Sequence, residues 1–136
     1  MYLFTDKGAV SIVRFDRGRG DGLAEALRGP VPDDPLLVRS RQPGHIEELF
    51  PGAQVFATPG ADYPFRAVVS RNCLMLALSE EALQVDYPNF KDRVMERQGP
   101  QYREAVFGVW AAWADRSGVY QERAVPVDPP WEDVGW

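Results

Sequence analysis

The sequence predicts an α+β fold: an antiparallel sheet with helices on one face, built on a circularly permuted ferredoxin-like core and extended by C-terminal helices. Three observations predict it. Short runs rich in β-branched and aromatic residues recur at 2–15, 36–41, 54–57 and 65–70. Amphipathic stretches at 43–50 and 72–84 alternate with them, and the segment from Asp86 through Gly99-Pro100 to Trp113 reads as two more helices in succession. With 136 residues, 45% of them hydrophobic and 12% aromatic, the chain has material for one core. The expected division is a single α+β domain over 1–118 and an extended tail over 119–136.

Taken in order, Tyr2-Leu3-Phe4-Thr5, then Lys7-Gly8, then Ala9 to Phe15 form a bent strand or a tight hairpin, since Val, Ile and aromatic side chains suit a pleated, half-buried surface. Asp16 to Pro35 is rich in glycine and proline and reads as a long loop whose one helical stretch is Leu23 to Arg28. Leu36 to Arg41 is a strand. Pro43-Gly44 opens a short helix with Ile46, Leu49 and Phe50 on one face, stopped by Pro51. Gln54 to Ala57 and Phe65 to Ser70 form a hairpin through the turn-rich 58–64. Asn72 is expected to cap the next helix, which buries Leu74, Met75, Leu78, Ala82 and Leu83.

Asn89 caps the third helix, with Phe90 and Val94 one turn apart and Gly99 at its C′ position. Pro100 starts the fourth. There Tyr102, Ala105, Val106, Val109, Trp110 and Trp113 follow the i, i+3, i+4, i+7, i+8, i+11 series and are read as core, up to Gly118. Strand 36–41 through helix 72–84 supplies β-α-β-β-α, five of the six elements of a split βαβ unit. The sixth is assigned to the N-terminal strand, which precedes its partner and so makes the order a permuted one.

Cys73 is the only cysteine and His45 the only histidine. That count excludes an internal disulfide and is read as arguing against a Cys/His zinc site and a Cys-His or Ser-His relay within one chain. No calcium-loop or phosphate-loop motif is present either, so neither a cofactor nor a metal nor a catalytic residue is expected. His45 is read as solvent-exposed and Cys73 as a small buried hydrophobe. Residues 1–15 lack the apolar run of a signal peptide and no stretch of about 18 apolar residues occurs, which predicts a cytoplasmic protein without membrane contact. The net charge of −5 is uneven, with nine basic against nine acidic residues over 1–71 and six against eleven over 72–136. An acidic chain argues against broad nucleic-acid binding but allows a local arginine stripe.

On Tyr2-Leu3-Phe4-Thr5, Ser11-Ile12-Val13, Val38-Arg39-Ser40-Arg41, Asp62-Tyr63, Arg66, Asp86-Tyr87, Asn89-Phe90-Lys91 and Val109-Trp110, the chain resembles a family of small bacterial proteins. These begin with an aromatic-Leu/Ile-Phe-Thr segment and end with a Tyr-x-Asn-Phe-Lys and Val-Trp pair. The resemblance covers most of 1–113 and implies a shared fold, with no catalytic residue to carry over. The 16–35 loop and the tail depart from the family's shorter pattern.

Two groups of polar residues are candidate sites. Strand alternation sets Arg39, Arg41 and Arg66 on the sheet face left open by the helices, where guanidinium forks suit phosphate or single-stranded nucleic acid; solvation, or pairing with Asp62, Asp86 or Asp92, is the plain structural alternative. Tyr63, Asn89 and Lys91 lie in two turns that leave the sheet, where capping, half-buried rings and surface charge account for them equally. In the tail, Trp131 and Trp136 are too apolar to leave in water and are expected to dock on the domain or on a second copy. The function read from these features is a non-enzymatic interaction module that binds a protein partner or forms a homodimer, with nucleic-acid or phosphate binding as the alternative.

Overall fold

The structure, a computed structural model, describes residues 1–16, 18, 27 and 30–117. Along the described residues the elements are β1 (Tyr2–Phe4), β2 (Ala9–Arg14), β3 (Pro35–Ser40), α1 (His45–Leu49), β4 (Val55–Ala57), β5 (Phe65–Ser70), α2 (Arg71–Leu83), α3 (Phe90–Gln98) and α4 (Pro100–Ser117). All strand pairs are antiparallel, in the order β1-β2-β3-β5-β4. The protein therefore has the α+β architecture read from its sequence. Because β3 and β4 both run antiparallel to β5, they are parallel to each other, joined by α1 and split by β5. Residues 1–15 form a hairpin, in which the Thr5 N–H donates to the Gly8 carbonyl at 2.9 Å.

Alternation along the strands sends two sets of side chains to opposite faces. Val10, Ile12, Leu36, Val38, Ala67 and Val69 face α1 and α2 and pack with Ile46, Leu49, Phe50 and Ala77. On the other face Leu37 and Phe15 are buried against Val13, Val31, Phe56 and Val68. Leu36, Leu37 and Val38 are all buried, as an interior strand covered on both sides requires.

A polar turn ties the helices to the sheet. Thr5, Asp6 and Lys7, between β1 and β2, are buried. Lys7 Nζ pairs with Glu81 of α2 at 2.5 Å, and Asp6 accepts from Arg93 Nε at 3.0 Å, with Arg97 at 3.7 Å, both on α3. Gln98 donates to the Lys7 carbonyl at 2.9 Å and the Tyr102 hydroxyl of α4 donates to the Thr5 carbonyl at 3.0 Å. Burial pushes the Tyr102 hydroxyl well above the ordinary tyrosine range. His45 closes the cluster, accepting the Ala9 N–H on Nδ1 at 3.2 Å and meeting the Tyr102 ring edge-on at 5.1 Å.

Several expectations are corrected. His45 is buried rather than exposed, because its ring acceptor satisfies a strand amide. Cys73 is exposed rather than buried. The cap of α2 is Ser70, whose hydroxyl accepts from the Cys73 N–H at 3.1 Å, in place of Asn72. The buried side of α2 carries Ala77, with Leu74 packed beside it, while Met75, Leu76 and Leu83 face outward. The small side chain of Ala77 lets the helix sit close to β5 and sets that rotation. Asn89 caps α3 as expected, accepting from the Lys91 N–H at 3.0 Å, and Val94 is fully buried. α4 forms at the expected place, yet Val109, Trp110 and Trp113 of its apolar stripe are exposed; the polar turn holds its first turn through Tyr102, and its later turns meet α3 through Lys91 on the Phe107 and Trp110 rings. The loop helix at 23–28, the helix stop at Gly118 and the tail with Trp131 and Trp136 lie outside the described residues.

Two measurements test the turn. A Cβ on Gly8 would stand 2.5 Å from His45 Cγ, so Gly8→Ala is expected to lower stability in urea by about 1–3 kcal/mol through overpacking. Burial also lowers the His45 pKa from its ordinary 6.5. The unfolded chain then binds a proton that the folded chain refuses, so stability should be level above pH 6.5 and fall as pH drops below it toward the folded value. Urea midpoints at pH 7.5 and 5.5 read that slope, and His45→Gln should remove it.

Candidate functional site

The sheet register builds the site. Tyr2 pairs with Ser11, Ser11 with Arg39, Arg39 with Arg66, and Arg66 with Phe56. One residue from each strand thus forms a row across the face turned away from α1 and α2. The apolar cluster of Leu37, Val13 and Val68 lies one row along on the same face, since pleated positions two apart share a side.

Arg39 is at the centre of the row. Among the described residues it makes one hydrogen bond, from Nη2 to the Ser11 hydroxyl at 2.8 Å. Its Nε is buried and meets no acceptor, and among the described residues no carboxylate lies within 4.0 Å of its guanidinium. Directly opposite stands Arg66. Like charges facing each other across a strand pair destabilise a sheet by roughly 0.2–1 kcal/mol, and a buried donor without an acceptor costs about 1–3 kcal/mol.

Tyr63 roofs this arginine. The loop that carries it is closed by the Thr58 N–H on the Pro64 carbonyl at 2.7 Å, with Gly60 in the left-handed region at φ 81°. The Tyr63 ring centre stands 4.7 Å from the Arg39 guanidinium carbon and 4.9 Å from that of Arg41, a cation–π contact with each. Arg66 Nε donates to the Tyr63 carbonyl at 3.1 Å. The Tyr63 and Tyr2 hydroxyls lie 3.3 Å apart. That shared hydrogen bond pushes Tyr63 above the ordinary tyrosine range and pulls Tyr2 below it. Arg41, with a mostly exposed side chain, pairs with Asp62 at 3.5 Å, so the structural alternative holds for that arginine.

Four of the expected site residues, Arg39, Arg41, Arg66 and Tyr63, therefore converge. Asn89 and Lys91 do not join them. Asn89 is spent on its cap, and the Lys91 ammonium sits 4.0 Å from the Phe107 ring centre, joining α3 to α4. Tyr2 and Ser11 belong to the cluster and were missed, because alternation tells which face a residue takes but not which residue stands opposite it on another strand.

A second surface lies on the outer side of α2. Asn72, Met75, Leu76, Ser79, Ala82 and Leu83 are exposed along the i, i+3, i+4, i+7, i+10, i+11 series, with Leu83 at 86%. Ser79 sits mid-stripe with its hydroxyl already donated to the Met75 carbonyl at 2.9 Å. Among the described residues no group of three or more His, Cys, Asp or Glu is arranged to hold a metal ion, and no helix is long and apolar enough to cross a membrane.

No family model matches the chain, and no match was found among curated proteins or solved structures.

If Arg39 is held against stability, its removal should not harm the fold. Arg39→Met, which keeps the length and drops the charge, is expected to leave stability within about 1 kcal/mol of wild type, since losing the orphaned Nε offsets losing the Ser11 bond. Thermal melting reads this, and a melting temperature several degrees below wild type would make Arg39 a structural residue.

Proposed function

We propose that the protein is an interaction module that pairs with a second copy of itself through the outer face of α2. The outward apolar stripe on that helix carries the reading. Most helices of a monomer turn such a stripe to the core, whereas α2 turns Leu74 and Ala77 inward and leaves Met75, Leu76 and Leu83 in water.

A second copy suits this surface in particular. Crossing two α2 helices antiparallel on a two-fold axis at Ser79 sets Met75 against Leu83 and Leu76 against Ala82 in both directions, as an isologous interface demands. Ser79 is small enough for close approach at the axis, and its hydroxyl is satisfied within its own helix, so burying it strands no polar group. A stripe of this extent belongs with small, reversible interfaces, below roughly 1,200 Å² in total. The exposed thiol of Cys73 is compatible with a reducing, cytoplasmic setting.

Sedimentation velocity from 5 to 200 μM tests the reading. The wild type should move from monomer to dimer with concentration, and Leu76→Glu, at an exposed position that the fold does not need, should remain monomeric throughout. A wild type monomeric at 200 μM, or a dimer that survives Leu76→Glu, would overturn it.

A further inference from the structure

We infer that the outward face of α4 is the docking site for the chain's own C-terminal arm, residues 118–136, with Trp131 seated on Val109 and Ala112 and with Asp128 paired to Arg116. The site lies on a different helix from the surface proposed for self-association and stands independently of it.

Val109, Ala112, Trp113 and Arg116 fall at i, i+3, i+4 and i+7 on α4, and among the described residues they line a shallow groove of about 480 Å³. Val109 is 51% exposed and Trp113 78%, a large apolar surface to leave in water. Arg116 closes the groove and has no carboxylate partner among the described residues. The acids of α4, Glu104 and Asp115, fall off that series. The face therefore suits an apolar group with a negative charge beside it. A second α4 laid on it would bring the apolar surface without the acid. The arm brings both, since it carries Glu122, Asp128, Glu132 and Asp133 against Arg123 alone, together with Trp131 and Trp136, and it leaves from the end of this same helix. Spacing then selects the residues. Pro129-Pro130 favours the polyproline conformation, which at about 3.1 Å per residue sets Asp128 and Trp131 about 9 Å apart. On α4, at a rise of about 1.5 Å per residue, Arg116 and Val109 stand about 10 Å apart. An arm running back along the helix with Asp128 on Arg116 thus brings Trp131 over Val109. Residues 118–127 make the return, a short loop whose closure costs little entropy and holds the arm near the groove at an effective concentration on the order of millimolar. The α2 stripe suits this acidic arm less, because Glu80 stands one turn beyond Leu76.

The experiment is fluorine NMR of the full chain carrying 5-fluorotryptophan, at 10 and 200 μM, in a Leu76→Glu background so that pairing through α2 plays no part. The four tryptophans give four resonances, assigned by single Trp→Phe substitutions, and the displacement of the Trp113 resonance between light and heavy water reads its contact with solvent. Trp131→Ser should at least double that displacement. Arg116→Asp and Asp128→Arg should each increase it as well, and the two together, which exchange the charges, should bring it back to the value of the unsubstituted arm. Arg116 is exposed and the other two positions are in the arm, so the core is left as it is in every variant. A Trp113 displacement that Trp131→Ser or either single charge variant leaves unchanged would overturn the inference, and so would a charge exchange that fails to restore it. Protection of Trp113 that appears at 200 μM and is absent at 10 μM would place the arm on a second copy and overturn it too.

Discussion

The arrangement of the helices depends on one buried polar turn. Four residues between β1 and β2 hold α2 by Lys7–Glu81, α3 by Asp6–Arg93 and the Gln98 amide, α4 by the Tyr102 hydroxyl, and α1 by the His45 ring against Gly8. The apolar core joins α1 and α2 to the sheet, and the two C-terminal helices add the buried Val94 of α3 and the directional bonds to the turn. Ion pairs with side chains this enclosed add little net stability over an apolar contact, yet losing one partner strands the other charge at a cost of about 3–5 kcal/mol. Such a turn selects one arrangement of the helices more than it strengthens it. The surroundings act the same way on hydrogen-bond donors: Arg93 is held further above its ordinary pKa by the Asp6 carboxylate that it grips.

The two sides of the molecule use charge in opposite ways. Around the turn, each buried cation has an acid or a carbonyl within reach. On the open face, Arg39 has neither, and its neighbour across the strand is another cation. The buried Nε without an acceptor is a local conflict of the kind functional positions show when the rest of the fold is consistent. The α2 stripe is a conflict of another sort, between the solvent and the helix face turned to it. The two surfaces lie on opposite sides of the sheet.

How much was legible in the sequence follows from the range of the forces involved. Period-two and period-3.6 patterning located the strands and helices, because those elements are built from neighbours in the chain. Asn89 as a cap was legible because a cap needs only the next three residues. The outward rotation of α2 was not: its apolar residues nearly encircle the helix, and the close seat of Ala77 against β5 decided which of them to bury. α4 shows the reverse error. Its stripe is the most regular in the chain, yet regularity says only that a face exists, not that a sheet is there to cover it.

The same division holds for the candidate site. The sequence by itself determined the α+β class, the order of its elements, and the face on which Arg39, Arg41 and Arg66 lie. Only the tertiary structure decided that Tyr2, Ser11, Arg39, Arg66 and Phe56 form one row, that Tyr63 roofs it, and that His45 and the Thr5–Gly8 turn hold the helices. Face is set by alternation within a strand, which local chemistry writes directly. Register between strands, and the meeting of residues 5–8 with residues 81–102, are settled by the packing of the whole core, where no short window of sequence holds both partners.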